Sequence, residues 1–172
     1  MKACNMKRRM LPALFLLLIG CGGGGGGAGN PILGPSNSNM AGNWTFTVTA
    51  STSCSQLPVA YRSHGVRVSI TQNEFGPIVG NFIGVNDPAG IGTSLSGSVA
   101  GNAVNLAFSV FDLVSNNVEL GAQGIGDGTI GGSRISGSFV GYFYLVDPRF
   151  SPARSIVPDC KAADHQFVFV RQ

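Results

Sequence analysis

Two histidines, His64 and His165, and a scatter of aspartates are the side chains of this sequence best suited to chemistry. An imidazole beside Asp87, Asp112 or Asp164 makes an acid–base couple, or part of a metal site. Nothing in their spacing assembles such a set, and the reading it favours is solvated loop residues. No Gly-x-Ser-x-Gly occurs, so there is no nucleophile elbow. "GDGTIG" at 126–131 has the letters of a dinucleotide fingerprint, but it leads into a hairpin turn and not into a helix, so it reads as turn glycine. Asp127 within it is a lone carboxylate, too little for calcium. The expectation is a protein with no catalytic residue, no metal and no cofactor.

The elements that would position these residues are strands. From Met40 onward the pattern has period two: "NWTFTVT" alternates Trp44, Phe46 and Val48 with threonines, and "GVRVSITQ" repeats the pattern with Val66, Val68 and Ile70. Further strands are expected at 78–84, 94–100, 103–111, 118–128, 134–145 and 165–171, and no segment has a helical period. Eight strands with short connections predict an all-β fold, an eight-stranded antiparallel up-and-down β-barrel, with a β-sandwich as the alternative. "IVGNFIG" at 78–84 echoes "ISGSFVG" at 135–141, and the strand glycines permit the bending that a small barrel needs. Trp44, Phe46, Phe82, Leu106, Phe108, Phe139 and Phe169 are the interior candidates. They either line a pocket or fill the barrel.

The connections sort unevenly. Those near 72–77, 101–102 and 131–132 are tight and share one end. Those at 50–64, 85–93, 112–117 and 146–164 are longer and share the other. Binding residues concentrate on such loops. Tyr61, Arg62, His64, Arg149, Phe150 and Arg154 are therefore the candidate ligand-binding residues, either meeting an anionic head group or forming a solvated rim.

Composition and the leader set the compartment. Lys2, Lys7, Arg8 and Arg9 precede an apolar run, Met10 to Ile19, about half the roughly 20 residues that a membrane span requires. Residues 1–20 read as a secretory signal. From Cys21 onward seven basic residues face eight acidic ones, a net of −1, so charge gives no case for nucleic acid. Residues 21–40, rich in Gly, Asn, Ser and Pro, read as a flexible tether, and 41–172 as the barrel domain.

Leu18-Ile19-Gly20-Cys21 resembles a bacterial lipobox. The resemblance implies a diacylglyceryl group on the Cys21 sulfur, cleavage before it, and a lipid anchor in the membrane. Gly22, in place of an aspartate, favours the outer membrane. Cys54 and Cys160 are then the remaining cysteines of an exported chain, on two loops of the same end. Either they form a disulfide across the seam between first and last strands, or they are two buried thiols.

Gly42-Asn43-Trp44, opening the first strand, resembles the Gly-x-Trp of the calycins, the lipocalin and avidin superfamily. Arg171 stands where that superfamily packs an arginine over the tryptophan. The resemblance implies a barrel that binds a small apolar or amphipathic ligand. Small lipoprotein barrels that inhibit lysozyme are similar in build, and give the alternative of a packed barrel acting on another envelope protein. Strand one starts at the tight-turn end, so the tether is expected there and the loop-rich mouth faces away from the membrane.

Overall fold

Alternation of apolar and polar side chains becomes alternation of burial. In β1 (Gly42–Thr49) Trp44, Phe46 and Val48 face inward. In β2 (Ser63–Gln72) Val66, Val68 and Ile70 do the same. The computed structural model describes residues 37–74 and 76–172. The expected leader, the expected lipidation site at Cys21 and most of the expected tether lie outside them. The other strands are β3 (Pro77–Ile83), β4 (Ser94–Ala100), β5 (Ala103–Ser115), β6 (Val118–Gly131), β7 (Arg134–Asp147), β8 (Arg154–Ser155) and β9 (Cys160–Arg171), with one 3-10 turn at Val59–Tyr61. Among the described residues there is no α-helix.

Each strand pairs antiparallel with the next from β1 to β7. β9 then lies between β7 and β1, so the sheet closes into a ring of eight strands. The all-β, eight-stranded antiparallel expectation is what the chain adopts. Closure leaves no long edge whose backbone groups lack partners.

Two connections differ from expectation. Residues 112–117 read as a loop because Asp, Ser and Asn favour turns. In the structure β5 and β6 continue to Ser115 and Val118, leaving only Asn116-Asn117 as the turn, with a register shift between Leu113 and Ser115. The last strand begins at Cys160, five residues before His165. β7 is 14 residues long and outruns its β9 partner at Phe143. Arg154–Ser155 take over as β8, opposite Asp147 and Val146, and satisfy backbone groups that would otherwise be bare.

The interior is filled. Trp44, Phe46, Phe139, Phe143, Phe167 and Phe169 are each at most 1% exposed. Phe46 stacks on Phe169 at 4.5 Å, Phe108 meets it edge-on at 5.1 Å, and Phe139 meets Phe108 at 4.9 Å. Leu106 completes this layer, and Phe82 is half-buried against it. Space for the rings comes from glycine: a Cβ on Gly128 or Gly137 would lie 2.8 or 2.6 Å from the Phe167 ring. A small ring of strands has room for side chains and little else, and here aromatic rings occupy it.

The turn end is closed around Trp44. Its indole N–H donates to the Met40 carbonyl at 2.8 Å, and the Arg171 guanidinium lies 4.5 Å from the ring centre. Arg171, paired with Trp44 across β9 and β1, also donates to the carbonyls of Asn39 and Ala41 at 2.8 and 3.2 Å. Gly42 has φ 127°, and this turned backbone leaves open the side on which Arg171 lies. Ser38 is held to Gly101 in the tight β4–β5 turn, so the described chain enters at this end. At the opposite end Cys54 and Cys160 form a disulfide with Cα atoms 5.6 Å apart, joining the β1–β2 loop to the start of β9.

Candidate functional site

At the loop end β2 and β5 bring together two residues that lie 48 apart in sequence. His64 Nε2 and Asp112 Oδ2 are 2.9 Å apart, each about one-fifth exposed. The other Asp112 oxygen accepts the Asn86 N–H at 2.8 Å, and Leu113 N–H returns a bond to the Asn86 carbonyl at 2.7 Å. The 84–93 loop is thereby stitched to β5. Asp87 holds the loop's own turn, accepting from Ile91 and Gly92 N–H groups at 3.1 and 2.7 Å.

Beneath that loop lies Glu119 of β6, completely buried. One oxygen accepts the Ala89 N–H at 3.2 Å; the other, Oε1, makes no hydrogen bond. Burial and the neighbouring Asp87 carboxylate push its pKa up to about 7. Burial raises that of Asp87 as well, but the Glu119 carboxyl and the amides of Gly92, Ile91 and Gly90 hold it below the ordinary value. The pair thus favours a neutral Glu119 beside an ionised Asp87.

His165 is separate. It is fully buried, its ring 4.8 Å from Phe139 and 5.0 Å from Phe143, and its Nδ1 accepts the Ser51 N–H at 2.9 Å. Its Nε2 makes no hydrogen bond. Burial lowers its pKa, against the pull of the Gly141 carbonyl and Asp164. The two histidines therefore have different partners, and Asp164 lies exposed beside His165 in β9. Among the described residues no three His, Cys, Asp or Glu side chains converge on a point where a metal would sit.

The rim residues divide into two groups. Tyr61 is half-buried against the core, and Arg62 donates to the Leu57 and Ser55 carbonyls, bracing its own loop. Arg149 makes a two-point pair with Asp147, at 2.9 and 2.6 Å. Phe150 is half exposed, with the Arg154 guanidinium 6.0 Å from its ring. Phe150 and Arg154 share a small cavity of about 270 Å³ with Asp147 and Ile156. None of the larger cavities brings Tyr61, Arg62 or His64 together with Arg149, Phe150 or Arg154.

The best-formed concavity lies outside the ring. A groove of about 470 Å³ runs over β4, β5, β6 and β7 to the start of β9, a volume typical of small-molecule sites. Two outward rows line it, with Phe108, Gly124 and Gly141 between them. Ser96, Ala107, Ile125 and Val140 are successive cross-strand partners, and Ser94, Ser109, Gln123, Tyr142 and Lys161 form the next row toward the loop end. Ile125 is 62% exposed and Val140 54%. Behind them β6 and β7 approach closely: a Cβ on Gly141 would lie 2.0 Å from the Gln123 carbonyl oxygen. Sequence reasoning assigned nothing to this wall. The available signal was Ile125 and Val140 in positions where the alternation calls for polar side chains. Glu119 was missed because an isolated glutamate among strand residues carries no mark of burial.

No protein family, curated protein or solved structure matches this chain. Function therefore rests on the geometry.

Proposed function

We propose that this chain is an exported, lipid-anchored, non-enzymatic binding module of the bacterial cell envelope, and that it meets its ligand on the outer wall of the ring. The observation that carries the reading is the position of empty space. Aromatic rings fill the interior, and none of the five best-formed cavities among the described residues lies within it. An apolar or amphipathic ligand inside the ring would have to displace that packing, whereas the groove needs no displacement.

The anchored, exported part of the reading is supported by the lipobox-like Cys21, the tether and the Cys54–Cys160 disulfide, since disulfides persist outside the reducing cytosol. The Trp44–Arg171 stack supports the calycin-like comparison. The non-enzymatic part leans on the separation of the two histidines: His64 pairs with Asp112 at the loop end, and His165 is sealed in the core, bonded to the Ser51 N–H. A second reading, contact with another envelope protein, is favoured by Val59, Phe150 and Ile156, exposed at 79%, 50% and 47% on the long loops.

Native mass spectrometry of the chain released from its own membrane tests the proposal. A co-purifying small molecule, lost when Ile125 and Val140 become serine, is the expected result. A co-purifying protein that survives those changes and is lost with Phe150→Ala would establish the second reading instead. Cys21→Ala should move the chain from the membrane to the soluble fraction; continued membrane attachment would overturn the anchor.

A further inference from the structure

The two rows that line the groove differ in chemistry, and their order gives the ligand a direction. The row nearer the turn end is apolar over three strands: Ala107, Ile125 and Val140 face one another across β5, β6 and β7, and the row continues through Ser96 to Val79 on β3. At about 4.8 Å per strand, Ser96 to Val140 spans about 14 Å. The adjacent row is polar along its length, from Ser94 through Ser109 and Gln123 to Tyr142, and it ends in Lys161.

Lys161 supplies the sign. Its ammonium lies 5.4 Å from the Tyr142 ring, and neither ion pair among the described residues involves it. A cation over an aromatic face beside a groove is a place for an anionic group, although the Asp159 carboxylate, two residues before Lys161, acts electrostatically on the neighbouring Tyr144. Asp127, two residues along β6 from Ile125, lies outside the groove lining and is bonded by Asn105. The site is thus apolar on one row and hydroxyl- and amide-bearing on the other, with positive charge at one end.

We propose that this groove binds a single-chain amphipathic anion, its hydrocarbon laid on Ala107, Ile125 and Val140 and its negative head on Lys161. The inference rests on the outer-wall reading and adds the ligand's chemistry to it. Tyr142, directly across from Lys161, and Gln123, one strand further, lie beside the head end and offer hydrogen bonds to its oxygens. A free fatty acid and a lysophospholipid share this chemistry.

The test is photolabelling of the full chain in its own membranes with a diazirine-bearing hexadecanoic acid, followed by mass-spectrometric mapping. Competition uses palmitate, lyso-phosphatidylglycerol and neutral hexadecanol. The label is expected on residues 123–125 and 140–142, with the anionic competitors at least tenfold more effective than hexadecanol. Palmitate outcompeting the lysolipid points to a free acid, and the reverse order to a membrane-derived lipid; both orders support the proposal. Lys161→Gln should bring anionic and neutral competitors within twofold, and Ile125→Asn should cut labelling at least fivefold. Both positions are exposed, and an intact Cys54–Cys160 bridge on a non-reducing gel confirms folding of each variant. Hexadecanol competing as well as palmitate against the unaltered chain overturns the head-group assignment alone. Label on Phe139, Phe143 or the mouth loops, with none in the groove, overturns the outer-wall reading together with it.

Discussion

The two ends of the ring treat polar groups differently. At the turn end the indole N–H of Trp44 has the Met40 carbonyl, Arg171 has two backbone carbonyls and the Trp44 face, and Gln72 bonds Met40 and Ser38. At the loop end two buried polar atoms, Glu119 Oε1 and His165 Nε2, make no well-formed hydrogen bond, although the Asp87 carboxylate and the Gly141 carbonyl act on those side chains. A buried polar group without a hydrogen bond costs about 1–3 kcal/mol, so the loop end tolerates what the turn end avoids. Each end thus holds a different kind of stability. The turn end is held by satisfied, pH-indifferent contacts, the loop end by a covalent bridge and by groups whose state follows pH.

Removing the bridge tests that division with the largest expected effect. Cys54 and Cys160 are 106 residues apart. Cross-links of this span contribute about 4–5 kcal/mol in the chain-entropy model, and losses of 2–5 kcal/mol are usual. The Cys54→Ala/Cys160→Ala variant should show a correspondingly lower urea midpoint. A midpoint within error of the parent would mean that the loop end holds itself together by other means.

The second effect depends on pH, and its two sources oppose each other. Glu119 is raised from 4.5 to about 7, so the folded chain keeps a proton that the unfolded chain releases. Its stabilising contribution is complete below 4.5 and is lost as pH rises through about 7. His165 is lowered from 6.5, so its contribution is present above 6.5 and is lost as pH falls. Glu119→Gln removes only the first. At pH 8 the variant should be more stable than the parent by on the order of 1–3 kcal/mol, and on acidification from pH 7 to 5 it should lose stability more steeply. Urea melts at pH 5, 6, 7 and 8 measure both. Parallel pH profiles for parent and variant would show that Glu119 does not titrate in this window.

At the turn end the counterpart is Arg171→Met, which removes the cation and both carbonyl bonds but keeps apolar cover over Trp44. Cation–π contacts at partly exposed sites and single hydrogen bonds each contribute about 0.5–1.5 kcal/mol, so a loss of about 1–2 kcal/mol is expected, unchanged between pH 5 and 8. A pH-dependent loss would break the contrast between the ends.

The sequence carried the ring and its seam because both follow from local rules. Period-two burial marked the strands, and Trp44 and Arg171 met because first and last strands must adjoin in a closed ring. Cys54 and Cys160 met for the same reason. Interior occupancy was illegible: Phe46, Phe108, Phe139 and Phe169 read equally as lining or as filling, and only the backbone glycines opposite Phe167 decide the packing. The loop at 112–117 was misjudged because turn-forming residues also serve where two strands outrun the ring. The groove depends on which residues of five strands share a row, and register across five strands is not written in any one of them.

The smallest effect belongs to the best-looking ion pair at the loop end. Arg149 meets both oxygens of Asp147 with good distances, and its side-chain hydrogen bonds hold the Asp147 carboxyl below its ordinary value. The arginine side chain is 62% exposed, however, and the two residues are only two apart on a surface turn. Water solvates the arginine nearly as well without its partner, the largely buried Asp147 carboxylate keeps the Arg149 backbone N–H at 3.1 Å, and the contact closes no long loop. Arg149→Ala should therefore shift the melting temperature by less than about 1 °C, less than Arg171→Met at the other end, although both remove an arginine with well-formed contacts. The decisive difference is what the contacts close: Arg171 links β9 to the chain ahead of β1 and covers a buried ring, and Arg149 bonds a neighbour. Equal losses in the two variants would mean that exposed charge pairs hold the loop end as firmly as buried contacts hold the turn end.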